Sequence, residues 1–149
     1  MRACIPLSTH IILLHWTHVL LIQKGHNDTS WPGHWGLPAW KVENDELFRE
    51  SSIRELEEET GVTVDVTDIE HELILNIRAN NGTRVYYFWV STNWIWTPEN
   101  KELDKHNDMG WFPLDSLPDL IIPHVRYALE AVQAGKTYAE HDFTQIDEE

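Results

Sequence analysis

A chain of 149 residues with 42% apolar side chains is long enough for one domain with its own core and too apolar to be a disordered segment. Its 25 acids against 11 Lys and Arg give a formal charge of −14, which repels a nucleic-acid backbone and excludes a duplex binder, while leaving room for a small phosphorylated ligand if metal ions offset the acids locally. The single cysteine, Cys4, excludes a disulfide framework and a cysteine-based zinc site; it fits a reducing, cytoplasmic setting and reads as a small buried hydrophobe.

The first apolar stretch, "IILLHWTHVLLI" (11–22), is too short to span a membrane and is interrupted by His15, Trp16, Thr17 and His18. No cleavage pattern follows it, so neither a signal peptide nor a membrane anchor is expected. It reads instead as two buried strands, 8–15 and 19–24, around a turn. A Gly- and Pro-rich loop follows over 24–36. Asn44 or Asp45 is placed to cap a helix over 46–60, and Gly61 to end it in the left-handed conformation. "HELILNIRA" (71–79) and "TRVYYFWVST" (83–92) are strand-like, joined by the turn signal "NNG". An acidic loop (97–108), a short strand (110–114) and a helix near 123–134 complete the domain, taken as 1–137. The acidic segment 138–149 reads as a frayed tail. Strands mixed with two helices, without repeats or a linker, define a single α/β domain.

The central helix carries the chemical signal. Residues 37–62 hold eight acids, four of them between Glu55 and Glu59. Glu55, Glu58 and Glu59 are three and four residues apart, so their carboxylates share one face, where each like-charge pair costs a few tenths of a kcal/mol, on the order of 0.3. A solvated surface face is one reading. A site for a hard divalent cation is the other, because Mg²⁺ takes a few carboxylates plus water and ligand phosphates. An EF-hand is excluded, since no twelve-residue loop offers oxygen ligands around a central Gly. Arg54 is placed to hold a neighbouring carboxylate by a charge-assisted hydrogen bond.

The whole stretch resembles the signature of the Nudix hydrolase family, G-x5-E-x7-R-E-U-x-E-E-x-G-U with U a bulky aliphatic residue. Glu46, Arg54-Glu55-Leu56, Glu58-Glu59 and Gly61-Val62 all fall in place. Only the opening Gly is missed, and Trp40 stands there. The lead-in "GHWGLPA" (33–39) is also similar, and the likeness extends in outline over 8–135. It implies an α/β/α sandwich around a mixed sheet. It further implies Mg²⁺- or Mn²⁺-dependent hydrolysis of a phosphoanhydride bond in a nucleoside di- or triphosphate or a related nucleoside diphosphate derivative. In the implied site Glu55, Glu58 and Glu59 bind metal, joined by the main-chain carbonyl of Ala39. Glu55 and Glu58 serve the reaction, Arg54 orients Glu55, and Glu46 is a supporting acid. A further ligand is expected from the later loop, with Glu99, Glu102 and Asp104 as candidates. Glu102 is preferred because "ELDKHNDMGWFPLDSLP" (102–118) resembles the MutT-like nucleotide pyrophosphatase branch, with Leu103 in place of its Pro.

Tyr86, Phe88 and Trp111 are candidates for stacking on a base, although each reads more readily as core. Trp40 guards the entrance. If the backbone there required positive φ, its Cβ would cost roughly 1–2 kcal/mol and would impair hydrolysis. Asp45, by contrast, tolerates a position where the family often has Gly. Ser51 and Ser52 fall where it favours Ala, a loss of roughly 0.5 kcal/mol each in helix propensity. Eight Trp in all suggest an alternative: a weak or inactive scaffold whose aromatic surface binds a protein, either a second copy or a partner of natural or engineered origin.

Overall fold

Strand β1 (Leu7–His15) runs through the middle of the molecule with Ile11, Ile12 and Leu13 fully buried on both faces. Such a run of branched and aliphatic residues is what a strand covered on both sides requires. The computed structural model describes residues 2, 4–43 and 45–144. β1 turns back at Trp16 (φ 57°) into the antiparallel β2 (His18–Lys24). Two short strands follow, β3 (Trp35–Gly36) beside β2 and β4 (Ala39–Lys41) antiparallel to β1. Helix α1 (Phe48–Thr60) precedes the hairpin of β5 (His71–Ala79) and β6 (Gly82–Ser91), and β6 lies parallel to β1. β7 (His106–Pro113) pairs antiparallel with β2, helix α2 (Pro123–Gln133) follows, and β8 (Tyr138–Asp142) closes the edge parallel to β5. The strand order β3-β2-β1-β6-β5-β8 makes a mixed sheet, with β4 and β7 added on β1 and β2.

Alternation along the strands separates two cores. Ile12, Leu73, Leu75, Tyr86 and Phe88 face α2, together with Val125, Ala128 and Leu129 of that helix. Ile11, Leu13, Tyr87 and Trp89 face α1, where Leu56 and Val62 complete the cluster. The α/β/α arrangement and the mixed sheet expected from the sequence are both present.

Three boundaries differ from the expectation by more than one residue. Helix α1 begins at Phe48, and its N-cap, Leu47, supplies no side-chain hydrogen bond. Asp45 is not the cap: it takes a left-handed φ of 67°, and the next residue, Glu46, accepts a 2.9 Å bond from the Glu43 N–H through its carboxylate. Asn44 lies outside the described residues. β7 starts four residues early, because pairing with β2 continues to His106. Residues 138–142 are a paired strand and not a frayed tail, so the domain continues past residue 137; residues 145–149 lie outside the described part. Cys4 is exposed, contrary to its small apolar character.

Ser52 does more than occupy a helix position. Its hydroxyl is fully buried, donates to the Arg49 carbonyl (3.0 Å), and accepts the indole N–H of buried Trp89 at 2.7 Å. Ser52→Ala would leave that indole donor unpaired, at a cost of about 1–3 kcal/mol. We expect a fall in Tm of about 3–8 °C by calorimetry. An unchanged Tm would show that the helix propensity of Ala outweighs the lost bond.

Candidate active site

Arg54 is the hub of the acids on α1. Its guanidinium reaches Glu46 (3.1 Å), Glu55 (3.3 Å) and Glu58 (3.1 Å), so one cation offsets three carboxylates that would otherwise repel. The Glu58 contact is an i,i+4 pair, and Glu46 arrives from the turn before the helix. These groups are partly exposed, which limits the contribution of each pair to stability.

Glu59 is beside this cluster, within reach of the Glu55 charge, but pairs with a different partner. The end of α1 leaves carbonyls without helical donors. Gly61 (φ 77°) returns its N–H to the Glu57 carbonyl at 2.8 Å. The Glu59 and Thr60 carbonyls accept from the N–H groups of Lys101 and Glu99, each at 3.0 Å. A second pair of backbone bonds joins Thr63 to Ile95. The acidic loop is thereby clamped onto the helix end, and Glu102 is delivered against Glu59. Burial first, and then the facing Glu102 carboxyl, push Glu59 up to about 8. Glu102 is held below the usual carboxylate range by its hydrogen bond with Glu59 and by Lys105, 2.9 Å away. Of the three loop acids considered, Glu99 and Asp104 are exposed and Glu102 is the one brought to the helix.

Nudix-type chemistry calls for a divalent cation. Among the described residues no three carboxylate, imidazole or thiol groups converge ready-made around one ion. The donor chemistry nevertheless fits Mg²⁺ or Mn²⁺: the groups are hard oxygens, and the backbone clamp at the end of α1 brings the Glu102 carboxyl against that of Glu59.

On the opposite face of the sheet, a cleft of about 520 Å³ opens between β4, β6 and the start of α2. Ala39 and Tyr86 line it. Phe88 does not: it is fully buried in the α2-side core. Trp111 stacks on Trp94, with ring centroids 5.8 Å apart, against the α1-side core and away from the cleft. Trp40 borders the cleft and also packs toward α1. It sits in an extended strand paired with Thr9 and is not among the positive-φ residues, so the backbone strain expected at this position does not exist. Its indole N–H is buried without a hydrogen bond of ordinary geometry, although it is near enough to Glu59 to oppose that carboxyl's rise. Of the eight Trp, only Trp16 and Trp96 are well exposed, so most of the aromatic surplus lies inside the fold.

Sequence reasoning overlooked two histidines. His10, only 4% exposed, lies with its ring centroid 4.6 Å from that of Phe88 and 5.0 Å from that of Tyr86. His124, at the start of α2, stacks on Tyr86 at 4.4 Å and meets His10 edge-on at 5.8 Å. A His within the apolar alternation of β1 was the available signal. Burial pulls His124 down to about 3 and His10 well below its ordinary value, with the His10–His124 repulsion adding to the fall in His10.

The family model for the NUDIX domain matches residues 6–132. The chain belongs to the Nudix family of hydrolases, and the class of reaction is phosphoanhydride hydrolysis. It is 26% identical over 117 residues to the RNA pyrophosphohydrolase of Erythrobacter litoralis, covering 67% of this chain and 71% of that protein. The crystal structure of a MutT NUDIX hydrolase from Burkholderia pseudomallei superposes with a TM-score of 0.73 at 28% identity, covering 87% of this chain and 99% of that one. A MutT protein from Methanosarcina mazei shares the fold, with a TM-score of 0.74 at 20% identity over 91% of this chain and 97% of that one.

The two neutral histidines give the protein an acid sensitivity of their own. The pKa of His124 is lower folded than unfolded, so its contribution to stability is complete above about pH 6.5 and is lost as pH falls from there towards about 3. We expect Tm to decline between pH 7 and 4.5, and His124→Phe to flatten that decline. Parallel profiles for the two proteins would show that His124 protonates without resistance.

Proposed function

We propose that the chain hydrolyses nucleoside 5′-di- or triphosphates and releases the nucleoside monophosphate, using Mg²⁺ or Mn²⁺. The supporting observation is the delivery of Glu102 to Glu59 beside the Arg54-held acids. Glu55, Glu58, Glu59 and Glu102, with the Ala39 carbonyl, are the groups that would hold the metal. A bound dication supplies charge neutralisation for the phosphates and a more acidic water. Glu55, oriented by Arg54, takes the proton of the attacking water as its oxygen bonds to phosphorus. The bond from that phosphorus to the bridging oxygen breaks, and the bridging oxygen leaves with the product phosphate. Glu46 steadies Arg54 from the far side. The nucleoside lies in the cleft across β4, where the Tyr86–His124 stack offers an aromatic wall.

A panel of nucleotides with Mg²⁺, read by chromatography of the products, tests this. The expected products are the monophosphate with pyrophosphate or phosphate. A sugar nucleotide or dinucleotide turned over far faster than every simple nucleotide would overturn the substrate assignment. Glu58→Gln and Glu102→Gln should each weaken Mn²⁺ binding at least about tenfold by calorimetry, roughly 1.4 kcal/mol. Equal affinity in a variant removes that residue from the ligand set.

Trp40 defines a separate expectation. Its strand is already extended and its ring fills space against the α1-side core. Trp40→Gly should lower stability by about 2–4 kcal/mol through the cavity it leaves, without raising kcat/KM. A tenfold gain in kcat/KM would mean that the indole obstructs the substrate.

A further inference from the structure

An aromatic surface lies at the opposite end of β1 from β4. β4 pairs with residues 8–10, whereas Trp16 follows the last residue of the strand. Trp16 is the first of the two residues that join His15 to its cross-strand partner His18, and its φ of 57° is one that a two-residue turn ordinarily gives to Gly or Asn. Trp96 repeats the combination, with φ 77° in the loop after β6. The two indoles are 88% and 73% exposed. Each carries a backbone cost and a hydration cost that folding does not recover.

Trp16 is connected to a larger surface through His15. The His15 ring centroid is 6.3 Å from that of Trp16, 6.5 Å from Trp94 and 5.9 Å from Trp111. Trp94 and Trp111 are stacked within 14° of parallel and are only half-buried. Beyond them Trp111 forms one wall of a notch of about 280 Å³, with Pro98, Leu103 and Met109 among the others. Asp108 is the one charged residue that lines this notch, and it takes part in no ion pair among the described residues. Its Oδ1 accepts the Met109 N–H at 2.8 Å, which fixes the carboxylate there.

An apolar notch that holds a single unpaired carboxylate is complementary to a long basic side chain. The methylenes lie along Pro98, Leu103 and Met109, and the cation meets Asp108. An indole face is the other uncharged surface that attracts a cation, and Trp attracts it best. The sign of the whole chain agrees. A charge of −14 draws in a basic partner and repels a second copy, an anionic membrane surface and a nucleic acid.

We propose that this surface docks a partner protein through an exposed basic segment, with one Arg or Lys in the notch against Asp108 and another on the face of Trp16. Leu103 is 78% exposed, while its neighbour Glu102 turns to Glu59. The docked segment and the candidate active site therefore use different sides of one loop, and the proposal stands independently of the nucleotide reading.

An arginine–glycine repeat peptide is the probe, titrated at physiological ionic strength so that the general charge of the chain is screened. It should bind and shift the indole N–H resonances of Trp16, Trp94 and Trp111, and a matched glutamate–glycine peptide should not. Trp16→Gly relieves the turn, and Asp108→Asn keeps an acceptor for the Met109 N–H, so both variants should fold. Each should weaken the arginine peptide about threefold, and the two together about tenfold. Tm of Trp16→Gly should hold or rise, which separates lost docking from lost structure. Glu58→Gln should keep the affinity within about twofold of the parent. Absence of binding, or binding that leaves the three indoles unshifted, overturns the proposal. So does a loss in Glu58→Gln as large as that in Asp108→Asn, which would place the peptide on the acids of α1. Dimerisation of the free protein that Trp16→Gly abolishes, read by sedimentation, would give the surface to a second copy. Binding to phosphatidylcholine vesicles that Trp16→Gly abolishes would give it to a membrane. Either result overturns the assignment to a basic protein segment.

Discussion

Backbone hydrogen bonds at the end of α1, and not the acids themselves, assemble the candidate site. Left alone, the last carbonyls of the helix would need water. Here they receive the N–H groups of residues 99 and 101 instead. That clamp fixes where the acidic loop can go, and Glu102 reaches Glu59 as a consequence. Like-charged side chains would drive the loop away, so the attraction must come from groups that carry no net charge. Arg54 solves the same problem within the helix by standing between Glu46, Glu55 and Glu58. The two devices divide the work: one cation keeps three acids together, and four backbone bonds bring in a fifth acid beside the fourth.

The second organising feature is the pleat of β1. Its neighbours on either side are β4 and β6, and the period of two sends odd and even residues to opposite layers. The acid-bearing helix covers one layer. The other opens into a cleft whose charged groups are almost all basic. A strongly acidic chain can thus present a locally positive cavity without scattering bases over its surface. Trp40 illustrates how narrow the partition is: one residue of β4 turns towards α1 while Ala39 and Lys41, on either side, turn to the cleft.

Much of this was legible in the chain. Hydrophobic runs placed the strands, and Gly61 marked the helix end with its left-handed turn. The i, i+3, i+4 spacing of Glu55, Glu58 and Glu59 marked the chemistry, and the fixed positions from Glu46 to Val62 marked the family. The failures have physical reasons. A Trp in place of Gly suggested strain only on the assumption that the backbone there was left-handed, and the extended β4 removes that assumption. Ser52 looked like a weak helix residue because propensity counts what a side chain costs its own helix. It cannot count the indole of Trp89, which lies 37 positions away in the sequence. Phe88 and Trp111 were ambiguous because aromatic residues serve cores and ligands equally well. His10 was passed over because one polar residue in an apolar run reads as an interruption, whereas here it is the wall of a cleft.

The strand at 138–142 bears on how the molecule comes into being. β5 has β6 on one side from an early stage, since only a tight turn separates them. Its other side is covered by β8, about 60 residues later in the chain, and the pairing is parallel. During synthesis, the open edge of β5 waits while α2 and everything before it emerge, offering unpaired peptide groups to any passing strand. Arg78 stands on that edge and joins Asp142 at 3.0 Å once β8 arrives. Until then its charge disfavours association with a neighbouring copy, so the nascent chain carries its own protection for the interval in which it is most adhesive.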